Sequence, residues 1–266
     1  MLPNRHGDNM YPPRRIVCLT EETVETLYLL GEQDRIVGVS GYVVRPPEAR
    51  RDKPRVSSFL TADIDKILAL RPDLVLAFSD LQADIVAALL KAGIAVHGFN
   101  QRSIDEILAM IRMLGAMVGK AEAADALARG YEDRLAAARA APPRHRPRVY
   151  FEEWDEPMIS GIAWVSELVE AAGGIEVFPE LRAGKSARER FVTAEQVIEA
   201  QPDIIIGSWC GKKVNKQRIR DRPGFDKIPA VRDDRIHEIK SPIILQPGPA
   251  ALTDGLAALQ AIMTGR

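Results

Sequence analysis

Short apolar runs of four or five residues alternate along this chain with helix-length amphipathic stretches, and one such unit is written twice. Asp63-Ile64-Asp65-Lys66-Ile67-Leu68-Ala69-Leu70-Arg71-Pro72-Asp73-Leu74-Val75-Leu76 is echoed by Thr193-Ala194-Glu195-Gln196-Val197-Ile198-Glu199-Ala200-Gln201-Pro202-Asp203-Ile204-Ile205-Ile206. In each copy, helix formers with helical spacing give way to Pro-Asp and then to a β-branched apolar run. Proline cannot continue the helix, so each copy predicts a short helix, a turn and a buried parallel strand. The copies stand about half the chain apart, which predicts two similar α/β lobes facing each other across a ligand cleft.

The remaining pattern fits that plan. Apolar runs at 15–19, 36–39, 74–77 and 95–98 read as strands, with helices at 20–30 and at 81–92, the latter closed by Gly93, and a loop at 40–54. Thr20 is the expected N-cap of the first helix, with Glu21 and Glu22 complementing its macrodipole. Residues 103–141 are almost unbroken helix, and the stretch 120–141 is rich in Ala, Glu, Arg and Leu before Pro142-Pro143 stops it. At 1.5 Å per residue that second helix is roughly 30 Å long. Beyond it come a strand at 149–152, a helix at 164–172, a basic helix near Val214, a strand at 236–239 and a helix at 249–263. The expected fold class is α/β: two Rossmann-like lobes with mostly parallel sheets, 15–118 and 143–266, joined by one long α-helix at 119–142. A rigid strut of this kind permits only small rocking motions.

Composition narrows the function classes. The chain is 46% hydrophobic and 27% charged with a net charge of -1, so it carries no general attraction to nucleic acid or to an anionic membrane. No apolar stretch is long enough to span a bilayer. Cys18 and Cys210 form no Cys-x-x-Cys pair; Cys18 sits in an apolar strand as a buried, inert thiol, and Cys210 follows a strand. The four histidines are scattered without metal-ligand spacing, and neither a phosphate-binding glycine loop nor a Gly-x-Ser-x-Gly elbow is present. No catalytic residue, metal set or intrinsic cofactor is therefore expected. The first fifteen residues lack an apolar leader, which places the sequence as written in the cytoplasm, or in the periplasm if a leader precedes it in the native protein.

Several segments together carry a family resemblance. They are Arg35-Ile36-Val37-Gly38-Val39-Ser40 with Tyr42 and Pro46-Pro47, Val56-Ser57-Ser58-Phe59, the repeated unit, the long helix, and Ser160-Gly161 before Trp164. Over residues 15–263 the chain resembles the helix-linked solute-binding proteins of ABC importers, nearest to the cobalamin-binding and iron-chelate-binding members. The resemblance implies a ligand such as cobalamin, haem or a ferric siderophore, held by aromatic faces and loop backbone at strand C-termini. Tyr42, Phe59 and Phe78 match such positions in the first lobe. Independently of the resemblance, loop ends also hold Phe99, Trp154 and Trp209, in a chain only 6% aromatic. Flat rings there suit a macrocycle or planar chelate. The second lobe departs from the cobalamin pattern, with Glu152 and Glu189 where aromatics are expected and Arg188 and Arg190 flanking the latter. The expected ligand-binding set is Tyr42, Phe59, Phe78, Trp154, Glu152, Arg190 and Trp209, and the polar second lobe leaves room for a smaller or charged ligand. Glu152 and Glu153, adjacent on a strand, point to opposite faces and rarely serve one metal.

The resemblance also implies that one surface carboxylate per lobe, Asp65 and Glu195, meets arginines of a membrane permease. Each of these acids equally suits the first turn of its helix on dipole grounds alone. The alternative to a solute-binding protein is a cytoplasmic enzyme or chaperone that handles a metal cofactor on the same scaffold.

Overall fold

A computed structural model of the protein describes residues 11–265. The polar opening segment, 1–10, and the last residue lie outside the described residues. The chain divides into two compact units: one reaches Gln101 and resumes at Asp105–Arg129, and the other comprises Arg102–Ile104 and everything from Gly130 onward.

The first unit alternates strands and helices: β1 (Ile16–Cys18), α1 (Glu21–Leu29), β2 (Ile36–Ser40), α2 (Pro47–Asp52), β3 (Arg55–Ser57), α3 (Ile64–Ala69), β4 (Leu74–Phe78), α4 (Ala83–Lys91) and β5 (Val96–Phe99). All pairings are parallel and the strand order is β3-β2-β1-β4-β5. The central strand β1 is buried on both faces, as its unbroken Ile-Val-Cys run requires. Val17, Leu19, Val56, Ile67, Val75, Ala77, Ile85 and Leu89 form one core cluster of this unit. Two elements interrupt the stretch read as loop and its continuation. α2 carries a single buried residue, Ala49, and starts at Pro47, so it has no apolar period to betray it. β3 is a three-residue edge strand burying only Val56.

Two helices follow, α5 (Ile104–Met117) and α6 (Ala121–Ala140). α6 is one continuous 20-residue helix, counted with the first unit to Arg129 and with the second from Gly130. Gly119, at φ +76°, makes the turn between the two helices.

The second unit contains β6 (Arg148–Asp155), β7 (Met158–Ser160), α7 (Ala163–Ala171), β8 (Ile175–Glu176), α8 (Ala194–Ala200), β9 (Ile204–Gly207), α9 (Lys216–Arg220), α10 (Pro229–Arg232), β10 (Ile236–Glu238), α11 (Ser241–Ile244) and, after a π turn, α12 (Leu256–Thr264). Its sheet runs β10-β9-β6-β7, with β8 pairing the start of β6. The β6–β7 pair is an antiparallel hairpin in an otherwise parallel sheet. This makes β6 longer than the strand read from its apolar run, because hairpin pairing carries it through the polar stretch to Asp155.

The repeated unit folds alike in both lobes. Asp63 and Thr193 are N-caps whose side chains accept from the backbone N–H of Lys66 and Gln196, and Gln196 closes a capping box. Arg71 and Gln201, just before the prolines, both take the left-handed conformation (φ 48° and 44°) that ends the helix. The aspartate after each proline then clasps the neighbouring strand. Asp73 accepts the backbone N–H of Arg14 and Arg15, and Asp203 accepts that of Arg148. Two of these three arginines return the contact, Arg15 donating to the carbonyls of Leu70 and Arg71 and Arg148 to that of Ala200.

Candidate functional site

In an open parallel sheet, ligands bind beyond the carboxyl ends of the strands, where the strand order reverses. In the first lobe that place lies between β1 and β4. The chain mounts apolar side chains around it. Tyr42 follows β2 and is 59% exposed, Leu60 follows β3 at 60%, and Leu81 follows β4 at 58%. Phe59, beside Leu60, is half-buried.

Each of these groups is held by local hydrogen bonding. Phe59 and Leu60 form the tip of a tight turn, closed by Ser58 N–H donating to the Thr61 carbonyl (2.8 Å) and Thr61 N–H to Ser58 Oγ (3.1 Å). Gly41 N–H donates to the Ser57 carbonyl (2.7 Å), which ties the Tyr42 loop to β3. Gln82, fully buried, is the bolt: its Oε1 accepts from Phe78 N–H (3.0 Å) while its Nε2 donates to the carbonyls of Phe59 (3.0 Å) and Leu19 (3.5 Å). One side chain thus fixes the ends of β1 and β4 and the Phe59 turn. Phe78 itself is buried.

Beneath this rim lie Glu21 and Glu22, at the end of β1. Rather than facing solvent at the helix start, they are 5% and 1% exposed. Thr20 stands at the N-cap of α1 as expected but makes no side-chain cap bond; its hydroxyl donates to Glu22 Oε1 instead (2.6 Å). Burial above all, and for Glu21 also repulsion from Glu22 and Glu25, pushes Glu21 up to about 8; burial pushes Glu22 up to about 7.

The corresponding ends of the second lobe are polar within and aromatic outside. Glu152 is fully buried and saturated: Arg222 grips it bidentately (2.5 and 3.0 Å), Trp209 Nε1 donates at 3.1 Å and the Tyr150 hydroxyl at 3.2 Å. Arg190, 2% exposed, is likewise occupied, donating to both oxygens of Glu153 (2.5 and 3.1 Å) and to the Ser160 carbonyl (2.6 Å). Trp209 is packed in the core of this lobe. Glu152, Arg190 and Trp209, which the sequence reading places among the ligand contacts, are thus all buried at this end of the sheet with most of their polar atoms engaged inside the lobe. Both oxygens of Glu152 and the Trp209 indole N–H are matched within the lobe, whereas Arg190 keeps one buried donor, Nε, without a partner.

What this lobe exposes is Trp154, half-buried, with Lys212 Nζ 3.9 Å from its ring centroid and 4.9 Å from that of Trp209. Asp155 orients that lysine at 2.5 Å and also pairs with Arg218 at 2.9 Å. Burial pulls the Asp155 carboxyl upward, but the Lys212 hydrogen bond and the two cations more than offset it and hold it low. Phe191, 42% exposed, is a residue that sequence reasoning passes over. An antiparallel bridge to Ile159, itself the register partner of Trp154, sets Trp154, Ile159 and Phe191 in a row across adjacent strands. Its signal in the sequence is an aromatic two residues before the helix cap Thr193, where the first copy of the repeat has Thr61.

Asp65 and Glu195 are both exposed in the first turns of α3 and α8. Glu195 is held low, first by its own backbone N–H and then by Thr193. Among the described residues no helix is long and apolar enough to cross a membrane.

Known proteins resemble this chain in sequence and in fold. The chain is 28% identical over 246 residues to the vitamin B12-binding protein of Vibrio cholerae, covering 91% of this chain and 86% of that protein. The crystal structure of the periplasmic vitamin B12 binding protein of Vibrio cholerae superposes with a TM-score of 0.73 at 24% identity, over 96% of this chain and 98% of that one. The periplasmic heme-binding protein RhuT from Roseiflexus sp. RS-1, in its apo form, does so at 0.78 and 26%, over 94% and 99%. The family model described as periplasmic binding protein matches residues 16–243, and the chain belongs to that family.

Proposed function

We propose that this protein is the solute-binding component of an ABC importer and carries a corrinoid, with haem or a ferric siderophore as the next choice. The observation that carries the reading is the set of large apolar side chains left exposed or half-buried around the sheet ends: Tyr42, Leu60 and Leu81 exposed and Phe59 half-buried in one lobe, Phe191 exposed and Trp154 half-buried in the other. Exposing such groups is costly unless a ligand covers them, and each Leu-sized or aromatic side chain contributes about 1.5–3 kcal/mol when fully buried. Corrinoids, porphyrins and iron chelates supply the broad apolar faces required. The B12- and haem-binding relatives support this choice of ligand class, and their periplasmic setting favours export over the cytoplasmic reading.

Within this reading Tyr42, Phe59 and Trp154 touch the ligand, whereas Phe78, Glu152, Arg190 and Trp209 hold the contacting loops in place. Asp65 and Glu195 are assigned to the permease.

Tryptophan-fluorescence titration with cyanocobalamin, haemin and ferric hydroxamates, corrected for the inner-filter effect, tests the assignment. Saturable quenching by cyanocobalamin is expected, with affinity reduced about tenfold in Tyr42→Ala and in Phe59→Ala, the loss of roughly half a buried ring each. Saturation by haemin alone would move the ligand to the porphyrins. No saturation by any of the three would overturn the reading.

A further inference from the structure

Broad apolar faces explain the rings of the second lobe but not the cation set against them. Lys212, in the loop after β9, is exposed, yet its ammonium is fixed in place. Nζ stands 3.9 Å from the Trp154 ring centroid, 4.9 Å from that of Trp209 and 2.5 Å from Asp155 Oδ1. The Trp154 ring is pinned as well, its Nε1 donating to the Glu156 carbonyl at 3.0 Å. The Asp155 side chain is only 1% exposed, and a carboxylate so buried is costly to keep charged unless cations meet it. Lys212 meets one of its oxygens and Arg218, itself shared with Glu156, faces the other.

Lys212 covers part of a ring that stacking alone would leave clear. An ammonium carries three donors, of which Asp155 takes one, while the rings attract the charge without using up the others. Donors therefore remain for an acceptor from outside.

The neighbouring surface repeats the charge. Beyond the carboxyl ends of β9 and β10 lies a cavity of about 500 Å³ lined by Lys213, Val214, Asn215, Lys216 and Glu238. This is the end of the sheet at which an α/β lobe receives ligands. The wall is tied together from within: Val214 N–H donates to Glu238 Oε1 at 3.0 Å, and Asn215 Oδ1 accepts the Arg218 N–H at 3.0 Å as the cap of α9. Lys213 and Lys216 are exposed, and among the described residues neither enters an ion pair. Glu238 is the acid of the cavity wall, against two lysines, while Asp155 and Glu156 are answered by Lys212 and Arg218. The surplus at this edge is positive.

We propose that Lys212, together with Lys213 and Lys216, binds an oxyanion on a side arm of the ligand, whose flat face lies against Trp154. The proposal deepens the reading of the protein as a carrier of large planar chelates and rests on it for the ligand; the anion site belongs to the second lobe alone. Two ligand classes supply such a group: the phosphodiester of a complete corrinoid and the propionates of a porphyrin.

Each class has a close analogue without the anion, dicyanocobinamide for cyanocobalamin and haemin dimethyl ester for haemin. Calorimetric titration of the full chain with all four reads the preference within each pair. The anion-bearing member of one pair is expected to bind about tenfold or more tightly than its analogue, and that pair names the oxyanion. In K212Q/K213Q/K216Q the ratio is expected to fall toward unity, and in K212Q alone to shrink should the triple variant fail to fold. Equal affinities within every pair that binds overturn the anion site and leave the carrier reading standing. A preference that survives the glutamines overturns its assignment to these lysines. Binding of none of the four overturns the carrier reading, and inorganic phosphate then decides the anion site. Followed by the amide signals of residues 212–216 and the Trp154 indole N–H at low ionic strength, it should give saturable shifts in the wild type that the triple variant lacks. Unmoved signals, or shifts kept by the variant, overturn the site.

Discussion

Three buried glutamates show how partners, rather than residue type, decide what an acid does. Glu152 is fully buried and receives four hydrogen bonds from Arg222, Trp209 and Tyr150, so its charge is met where it stands. Glu21 and Glu22 are buried almost as deeply with half their oxygens unmatched. The difference has a direction in pH. Glu22 takes a proton up to about 7 when folded but near 4.5 when free, so the folded state binds the proton more tightly. Its contribution is fully present below about pH 4.5 and is lost as pH climbs to about 7, a total of about 3 kcal/mol. Glu22→Gln removes the group that ionises. Urea denaturation is expected to find this variant more stable than the wild type by up to that amount at pH 8, and little different at pH 4. Equal stability differences at both pH values would show that Glu22 does not titrate in this range.

At the scale of elements, the repeated Pro-Asp turn does more than stop a helix. Asp73 accepts two backbone N–H groups at the head of β1 and Asp203 accepts one at the head of β6, each clasp locking strand to strand before the core begins. Asp73→Ala is therefore expected to cost about 2 kcal/mol and Asp203→Ala about 1 kcal/mol, at about 1 kcal/mol per bond. Midpoints of urea denaturation measure both, and a reversed order would show that the clasps are decorative. This unit was legible in the sequence because helix, turn and strand each leave a local signature in it. The short α2 and β3 were not legible, since each buries one side chain and has no period to read. β7 escaped for another reason: a three-residue strand is recognisable only by its partner, and Ser160 pairs with Glu152. The site divides along the same line. Tyr42 sits at the end of a strand that local pattern locates, whereas Phe59 follows the unread β3 and Trp154 lies in the polar extension of β6. That Glu152 is occupied from within depends on Arg222, seventy positions along the chain, which no local pattern connects to it.

On the scale of the whole molecule, an importer needs its binding protein to be recognised as well as loaded. In the function proposed above, Asp65 and Glu195 serve recognition rather than stability. Both are exposed, and both occupy the same place in the two copies of one structural unit, the second residue of a helix whose cap is already made by Asp63 or Thr193. The helices do not need them, because an exposed acid in a first turn contributes only about 0.3–1 kcal/mol. A partner presenting two basic patches would gain from both, chiefly in association rate and specificity, through charge pairs weakened by salt. In liposomes carrying the cognate permease and ATPase, Asp65→Arg/Glu195→Arg is expected to abolish stimulation of ATP hydrolysis by the binding protein. Each single reversal should weaken it about tenfold or more, with the deficit growing as ionic strength falls and the repulsion strengthens. Cyanocobalamin affinity should be unchanged in all three variants, since neither acid belongs to the ligand-contacting set. Full stimulation by the double reversal would return both acids to the helix dipole alone. Lost stimulation with lost affinity would instead place them in the ligand site, and the surface that meets the permease would have to lie elsewhere.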